Sequence, residues 1–299
     1  MAPIAITVRS ENRLLIDAII LIPSANERER MSDLLETAKD AARLAGEELM
    51  RYFVDEWLEV RNKPADGGGT YDLVSDADLS AERIIGERIR QTYPDHLLLG
   101  EESLGHDLDV QRAEHLWVID PLDGTNNFAH RLPHFAVSIA YYHQGIAMVG
   151  VIHNPATGQW FTATRGGGAF AGQMRASVAP DATLSKVIIG CGFYYDRGEM
   201  MRRTLATIEA FFALNIHGIR RFGTASLDLC MVGCGQFGGF FEYMLSPWDF
   251  AAGRLFVEEA GGMVTDAKGQ PLSLQRSSVL ASNTRLHDDL LAVTRSHHP

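Results

Sequence analysis

The 299-residue chain carries 27 Lys and Arg against 38 Asp and Glu, a net charge of −11. That balance argues against sequence-independent nucleic-acid binding, which needs a basic face. It also disfavours an anionic substrate unless bound cations reverse the local field, so part of the excess acid is expected to be ligands. Apolar residues at 46% and charged residues at 22% are ordinary for a globular protein, and no apolar run reaches membrane-spanning length. The stretch Leu14 to Ile22 is apolar but broken by Asp17, with no small-residue cleavage site after it. Three cysteines without a Cys-x-x-Cys pair suggest a reduced, cytoplasmic protein.

In chain order, Ser32 is placed to cap a helix running to about Phe53, with Leu35, Ala38, Ala42, Ala45 and Leu49 at helical spacing. Residues 63–70 are loop by composition, and the glycines suit either a plain linker or a segment that moves over a site. Asp72 to Asp78 leads into a second helix whose apolar set is Leu79, Ile84, Ile85 and Ile89. Asp76 and Asp78 suit its N-terminus, where carboxylates complement the helix dipole. Leu97 to Gly100 reads as a buried strand that ends on Glu101-Glu102-Ser103, and residues 104–115 read as a polar surface excursion.

The stretch 117–125, Trp-Val-Ile-Asp-Pro-Leu-Asp-Gly-Thr, opens as a buried strand. Pro121 lacks an amide donor, so the strand is expected to end at Asp120. Asp120 and Asp123 then place two carboxylates three residues apart in a tight turn, which attracts hard cations. If Gly124-Thr125 opens a helix through Asn126-Asn127-Phe128, its first amides suit a phosphate. Read singly, Asp-Pro and Asp-Gly are ordinary turn chemistry.

Strands are expected over Phe135 to Tyr142 and Ala147 to Ile152, followed by a hairpin through the 154–158 turn into Trp160 to Thr164. His130 and His134 flank Pro133, which argues for packing over shared ligation. Residues 173–186 read as a crossing between two halves. Beyond it come a strand at 187–191, a helix at 199–213 and a strand from Ile219 to Phe222. The turn Gly223-Thr224-Ala225 opens a short helix on which Cys230 and Cys234 share one face as core thiols. A strand over 237–243 carries Glu242. Pro247-Trp248-Asp249 opens another helix, for which Asp249 is a plausible cap. A strand near Val279 and a last helix complete the chain.

Four segments together are specific: Gly100-Glu101-Glu102-Ser103, Asp120-Pro121-Leu122-Asp123-Gly124-Thr125, Gly223-Thr224-Ala225 and Trp248-Asp249. In that order the chain resembles the inositol monophosphatase family of metal-dependent, lithium-sensitive phosphatases, from about residue 31 to the end. The resemblance implies an α/β (α+β) fold, a five-layered α/β/α/β/α sandwich of the sugar-phosphatase type with two subdomains. It divides the chain into an N-terminal extension at 1–30, a metal-binding domain at 31–178 and a substrate-binding domain at 179–299.

The same resemblance implies roles for individual residues. Glu101, Asp120, Leu122 through its carbonyl, Asp123 and Asp249 are the metal ligands, and Glu102 supports them. Thr125, positioned by Asp78, orients the attacking water. Gly124 and Thr125 offer amides to the phosphate, while Gly223, Thr224, Ala225 and Glu242 contact the substrate. An all-oxygen set suits two or three Mg²⁺ ions, with Mn²⁺ as the alternative, and not Zn²⁺. The expected substrate is a small phosphorylated polyol, inositol 1-phosphate first. Histidinol phosphate, fructose 1,6-bisphosphate and 3′-phosphoadenosine 5′-phosphate are the rivals. A transcription accessory role is the other class of function. Neither membrane nor direct nucleic-acid contact is expected, and the resemblance implies a homodimer.

Overall fold

The computed structural model describes residues 25–54, 60–62, 73–105, 110 and 112–299. The loop expected over 63–70 and the apolar run 14–22 lie outside them. The chain begins with α1 (Ala25–Val54), then β1 (Val60–Asn62), β2 (Leu73–Ser75), α2 (Asp76–Thr92), β3 (Leu97–Gly100), β4 (His115–Asp123) and α3 (Thr125–Ala129). Next is a run of strands: β5 (Ala136–His143), β6 (Ile146–Asn154), β7 (Gln159–Thr164), β8 (Gly168–Ala171) and β9 (Met174–Arg175). The second half contains β10 (Ile188–Cys191), α4 (Glu199–Ala213), β11 (Gly218–Arg220), α5 (Ala225–Gly233), β12 (Gly239–Leu245) and α6 (Pro247–Glu259). It closes with β13 (Met263–Thr265), β14 (Ser277–Ser282) and α7 (His287–Ser296).

Two sheets carry the fold. Seven strands run in the order β3-β4-β5-β6-β7-β8-β9, and only the β3–β4 pair is parallel. Five strands run in the order β11-β10-β12-β14-β13, with β10 parallel to both its neighbours. Helices α1 and α2 cover one face of the larger sheet. Helices α5 and α6 lie between the sheets, and α4 and α7 cover the outer face of the smaller one. The layers are therefore helix, sheet, helix, sheet, helix, as expected.

The outer helices bury small residues, which lets the backbone approach the sheet. On α1 the buried face is Leu34, Ala38, Ala41, Ala42, Ala45 and Leu49. This helix starts at Ala25, seven residues before the expected Ser32 cap. On α2 the buried set is Ala77, Ala81, Ile85 and Ile89, whereas Leu79, expected inside, is 45% exposed. The alanines and Asp78 face inward instead, so the inward stripe is one of small side chains that hydrophobicity alone did not mark. Residues 173–186 are not wholly a crossing, because the short edge strand β9 begins them.

The largest departure is at Pro121. Strand β4 runs through it to Asp123, and its pairing with β5 slips between Asp120↔Ser138 and Asp123↔Ala136. Two residues of β5 there face three of β4. The parallel neighbour β3 pairs no further than Ile119. Pro121 therefore sits in a bulge on a strand end whose other side is unpaired, where a missing amide donor breaks no ladder bond. The bulge turns both aspartates toward one place.

Candidate active site

Asp120 is 1% exposed at the end of β4, and its Oδ1 accepts the Leu122 amide at 3.0 Å. Its Oδ2 is buried with no hydrogen-bond partner. Burial, then Glu101, Asp123, Asp249 and Asp78, raise its carboxyl well above the ordinary range. Glu101, at the end of β3, and Asp78, buried on α2, are thus within electrostatic reach of Asp120 although they come from separate elements. One carboxylate oxygen from each of Asp120, Asp123 and Asp249 lies within 4.8 Å of the other two. Three buried or half-buried carboxylates at that spacing repel one another unless protons or cations intervene.

Asp123 joins the layers. Its carboxylate accepts the Ser226 amide at 2.7 Å and the Ala225 amide at 3.3 Å at the start of α5. Burial raises it to about 6 against the pull of those donors. Asp249 lies three residues beyond the α6 cap Ser246, whose amide donates to Asp249 Oδ2 at 2.6 Å. It is therefore both a capping-box residue and a member of the acidic cluster. Burial, then Asp123 and Glu101, raise it well above the carboxylate range.

Gly124 has φ +93°, and a Cβ there would lie 2.4 Å from Thr224 Oγ1. Glycine is thus required both for the left-handed turn and for the close approach of the second half. Helix α3 opens at Thr125 as expected. The Thr125 hydroxyl donates to the Leu122 carbonyl at 3.1 Å. Asn127 Nδ2 donates to the carbonyls of His134 and Phe222, each at 2.8 Å, and Thr224 Oγ1 donates to the His134 carbonyl at 2.8 Å. Asn127 and Thr224 therefore hold the 223–225 turn beside the aspartate turn. The His134 ring packs on Phe222 at 5.1 Å, and its Nε2 is buried with no hydrogen-bond partner.

Glu242 on β12 is buried against Gly192, where a Cβ would lie 1.7 Å from its Oε2. Burial pushes its carboxyl up to about 8, opposed by the Arg221 guanidinium. Its charge also acts on Asp249, so it borders the cluster.

Three residues were not singled out from sequence. Glu82, buried on α2, accepts the amides of Glu102 and Ser103 at 2.9 and 2.8 Å and the Ser103 hydroxyl at 2.6 Å. It holds the turn that presents Glu101. Asp228, buried on α5, has its Oδ1 without a partner, and burial and then Asp123 raise its carboxyl well above the ordinary range. Arg221 is a cation that acts on Glu242 and Asp228. A glutamate in the middle of a buried helical face was the one signal available for Glu82. The other two depend on pairing across the sheets.

A sandwich of this layering brings clustered acids to a strand end, a donor set that fits hard metal ions. The chain belongs to the inositol monophosphatase family, whose model matches residues 30–299. It is 40% identical over 269 residues to an inositol-1-monophosphatase of Rhizobium meliloti, covering 90% of this chain and 98% of that one. It is 39% identical over 267 residues to a putative Nus factor SuhB of Neisseria meningitidis, covering 89% and 100%. The crystal structure of the extragenic suppressor protein suhB from Bartonella henselae superposes with a TM-score of 0.80 at 37% identity, covering 88% and 98%. Among the described residues, no helix is long and apolar enough to cross a membrane.

Proposed function

We propose that the chain is a Mg²⁺-dependent phosphomonoesterase that hydrolyses myo-inositol 1-phosphate by in-line attack of water. One observation carries this reading. Asp120, Asp123 and Asp249 converge from β4 and α6, with Asp120 Oδ2 buried and unpartnered. An all-oxygen donor set of that kind fits hard divalent cations.

In this reading Glu101, Asp120 and the Leu122 carbonyl hold one ion, and Asp120, Asp123 and Asp249 hold a second. Bound there, the ions supply a nucleophilic water and stabilise the departing oxygen. Thr125, positioned by Asp78, orients the attacking water. The amides of Gly124 and Thr125 take the phosphate oxygens. The turn at Gly223, Thr224 and Ala225, together with Glu242, meets the polyol hydroxyls, and Glu102 supports Glu101. The Ala225 amide already faces Asp123, so its share of substrate binding is the smallest of these. The proposed division keeps 31–178 as the metal-binding domain and 179–299 as the substrate-binding domain, in a cytoplasmic homodimer, with 1–30 an extension.

Relatives carrying the name Nus factor SuhB favour a second reading, a role beside the transcription machinery. A turnover panel of the four phosphates named above, run with Mg²⁺ and set beside a pull-down against RNA polymerase, separates the two. Preferred turnover of inositol 1-phosphate supports the first. Negligible turnover of every phosphate with retention of polymerase supports the second.

A further inference from the structure

A second group of potential ligands lies at the opposite end of the same strand. His115 is the first residue of β4, and at about 3.3 Å per residue its Cα lies roughly 16 Å from that of Asp120. In the β4–β5 register it sits directly opposite His143. One ligand atom from each of Glu114, His115 and His143 lies within 4.8 Å of the other two. His115 Nδ1 and His143 Nδ1 are 3.2 Å apart. Two nitrogens on one tetrahedral ion with bonds of about 2.0–2.1 Å are separated by about 3.3 Å. The pair is at ligand spacing, but an ion there must displace the Tyr141 hydroxyl from His115 Nδ1 and the Glu114 carbonyl, to which His143 Nδ1 donates.

The surroundings hold the rings in place. The Tyr141 hydroxyl is 2.7 Å from His115 Nδ1, and the Glu114 carbonyl is 3.1 Å from His143 Nδ1. The His96 ring stacks on His115 at 4.5 Å, and His115 on His143 at 4.9 Å. His96 is in turn fixed by the Trp117 indole, which donates to its Nδ1 at 3.0 Å. The Glu114 carboxylate lies 3.8 Å from His115 Nε2, the ring nitrogen away from His143, and its exposed side chain must turn to join the Nδ1 pair.

We propose that Glu114, His115 and His143 form a second metal site, selective for a borderline transition ion such as Zn²⁺ or Co²⁺ and separate from the oxygen-only cluster. Two imidazoles and one carboxylate are a borderline set, which Mg²⁺ does not favour. Arg30 opposes the ion. Its NH2 lies 3.4 Å from His115 Nε2, on a side chain that is itself exposed and can turn to solvent.

The test is a Co²⁺ titration followed by its visible absorption, with Zn²⁺ competition, on full-length protein saturated with Mg²⁺. Wild type is expected to take one Co²⁺ equivalent that His143→Asn does not, and to keep it in Asp249→Asn. Glu114→Gln, an exposed change that leaves packing intact, should weaken that equivalent by about tenfold or more. Arg30→Gln should tighten it. Mg²⁺-dependent turnover should be unchanged in His143→Asn, Glu114→Gln and Arg30→Gln. Equal Co²⁺ uptake and affinity in wild type, His143→Asn and Glu114→Gln would overturn the site. So would loss of the extra equivalent in Asp249→Asn alone.

Discussion

Asp123, at the end of β4 in the larger sheet, accepts the backbone amide of Ser226 at 2.7 Å from the first turn of α5, in the layer between the two sheets. A residue of the acidic cluster is therefore also a structural tie. Hydrogen bonds to a charged acceptor are among the stronger ones, about 1.5–3 kcal/mol each. Here they partly offset the burial of a carboxylate that faces other carboxylates.

Asp120 has no such compensation at Oδ2. Asp120→Asn should raise the melting temperature of the metal-free protein, because it removes a carboxyl whose ionised form burial, and then its acidic neighbours, disfavour. It should also abolish the stabilisation that Mg²⁺ gives wild type. At a hundred times Kd that stabilisation is about 2.7 kcal/mol, a shift on the order of 5 °C for a protein of this size. Calorimetry with and without Mg²⁺ measures both, and a variant less stable than wild type in the absence of metal would refute the argument.

Asp249→Asn keeps an acceptor for the Ser246 amide, so the α6 cap survives. Turnover should nonetheless fall by at least about 10³-fold, since an ion's charge stabilisation is worth several kcal/mol. Near-normal turnover with native far-UV circular dichroism would remove Asp249 from the metal site.

Gly124→Ala should cost about 1–2 kcal/mol for the left-handed backbone alone, and more for the clash with Thr224 Oγ1. Adding Thr224→Ala should recover the steric part and leave the backbone part. Urea denaturation of the single and double variants separates the two, and no recovery would place the strain elsewhere.

Glu242 holds its proton up to about 8, above its ordinary value. The folded state thus keeps a proton that the unfolded chain has already lost. The associated stability is full at low pH and is lost as pH rises through about 8. In the metal-free protein this contribution should therefore be lost between about pH 4.5, the ordinary value, and about 8, and Glu242→Gln should flatten that fall. Equal slopes would show that Glu242 is ionised. Below pH 6.5 one group contributes with the opposite sign, against the slopes of Glu242 and of Asp123, which is raised to about 6. His287, buried between Thr265 and Ser282 and lowered to about 4, makes stability fall as pH drops from 6.5 toward 4. The slope is at most about 1.4 kcal/mol per pH unit per histidine.

Lithium, at millimolar concentration and saturating Mg²⁺, should inhibit turnover of inositol 1-phosphate. An assay without that inhibition would point to a different arrangement of ions from the one proposed.

Much of this was legible in the chain because it is local. The aspartates of the 120–125 turn, the glycine at 124, the helix opened by Pro247 and the alternation of strands and helices each depend on residues close in sequence. The bulge that lets β4 run through Pro121 was not legible, since it depends on β3 stopping at Gly100 and on the slipped pairing with β5. Nor was the inward face of α2, where tertiary packing selected alanines and Asp78 over Leu79. Sequence determined which acids and glycines were available. Only the tertiary structure decided that Asp123 would meet Ser226 between the layers, that Glu82 of α2 would hold the Glu101 turn, and that the β4–β5 register would set His115 opposite His143. Those contacts join residues far apart in the chain, and their strength depends on burial that no local pattern encodes.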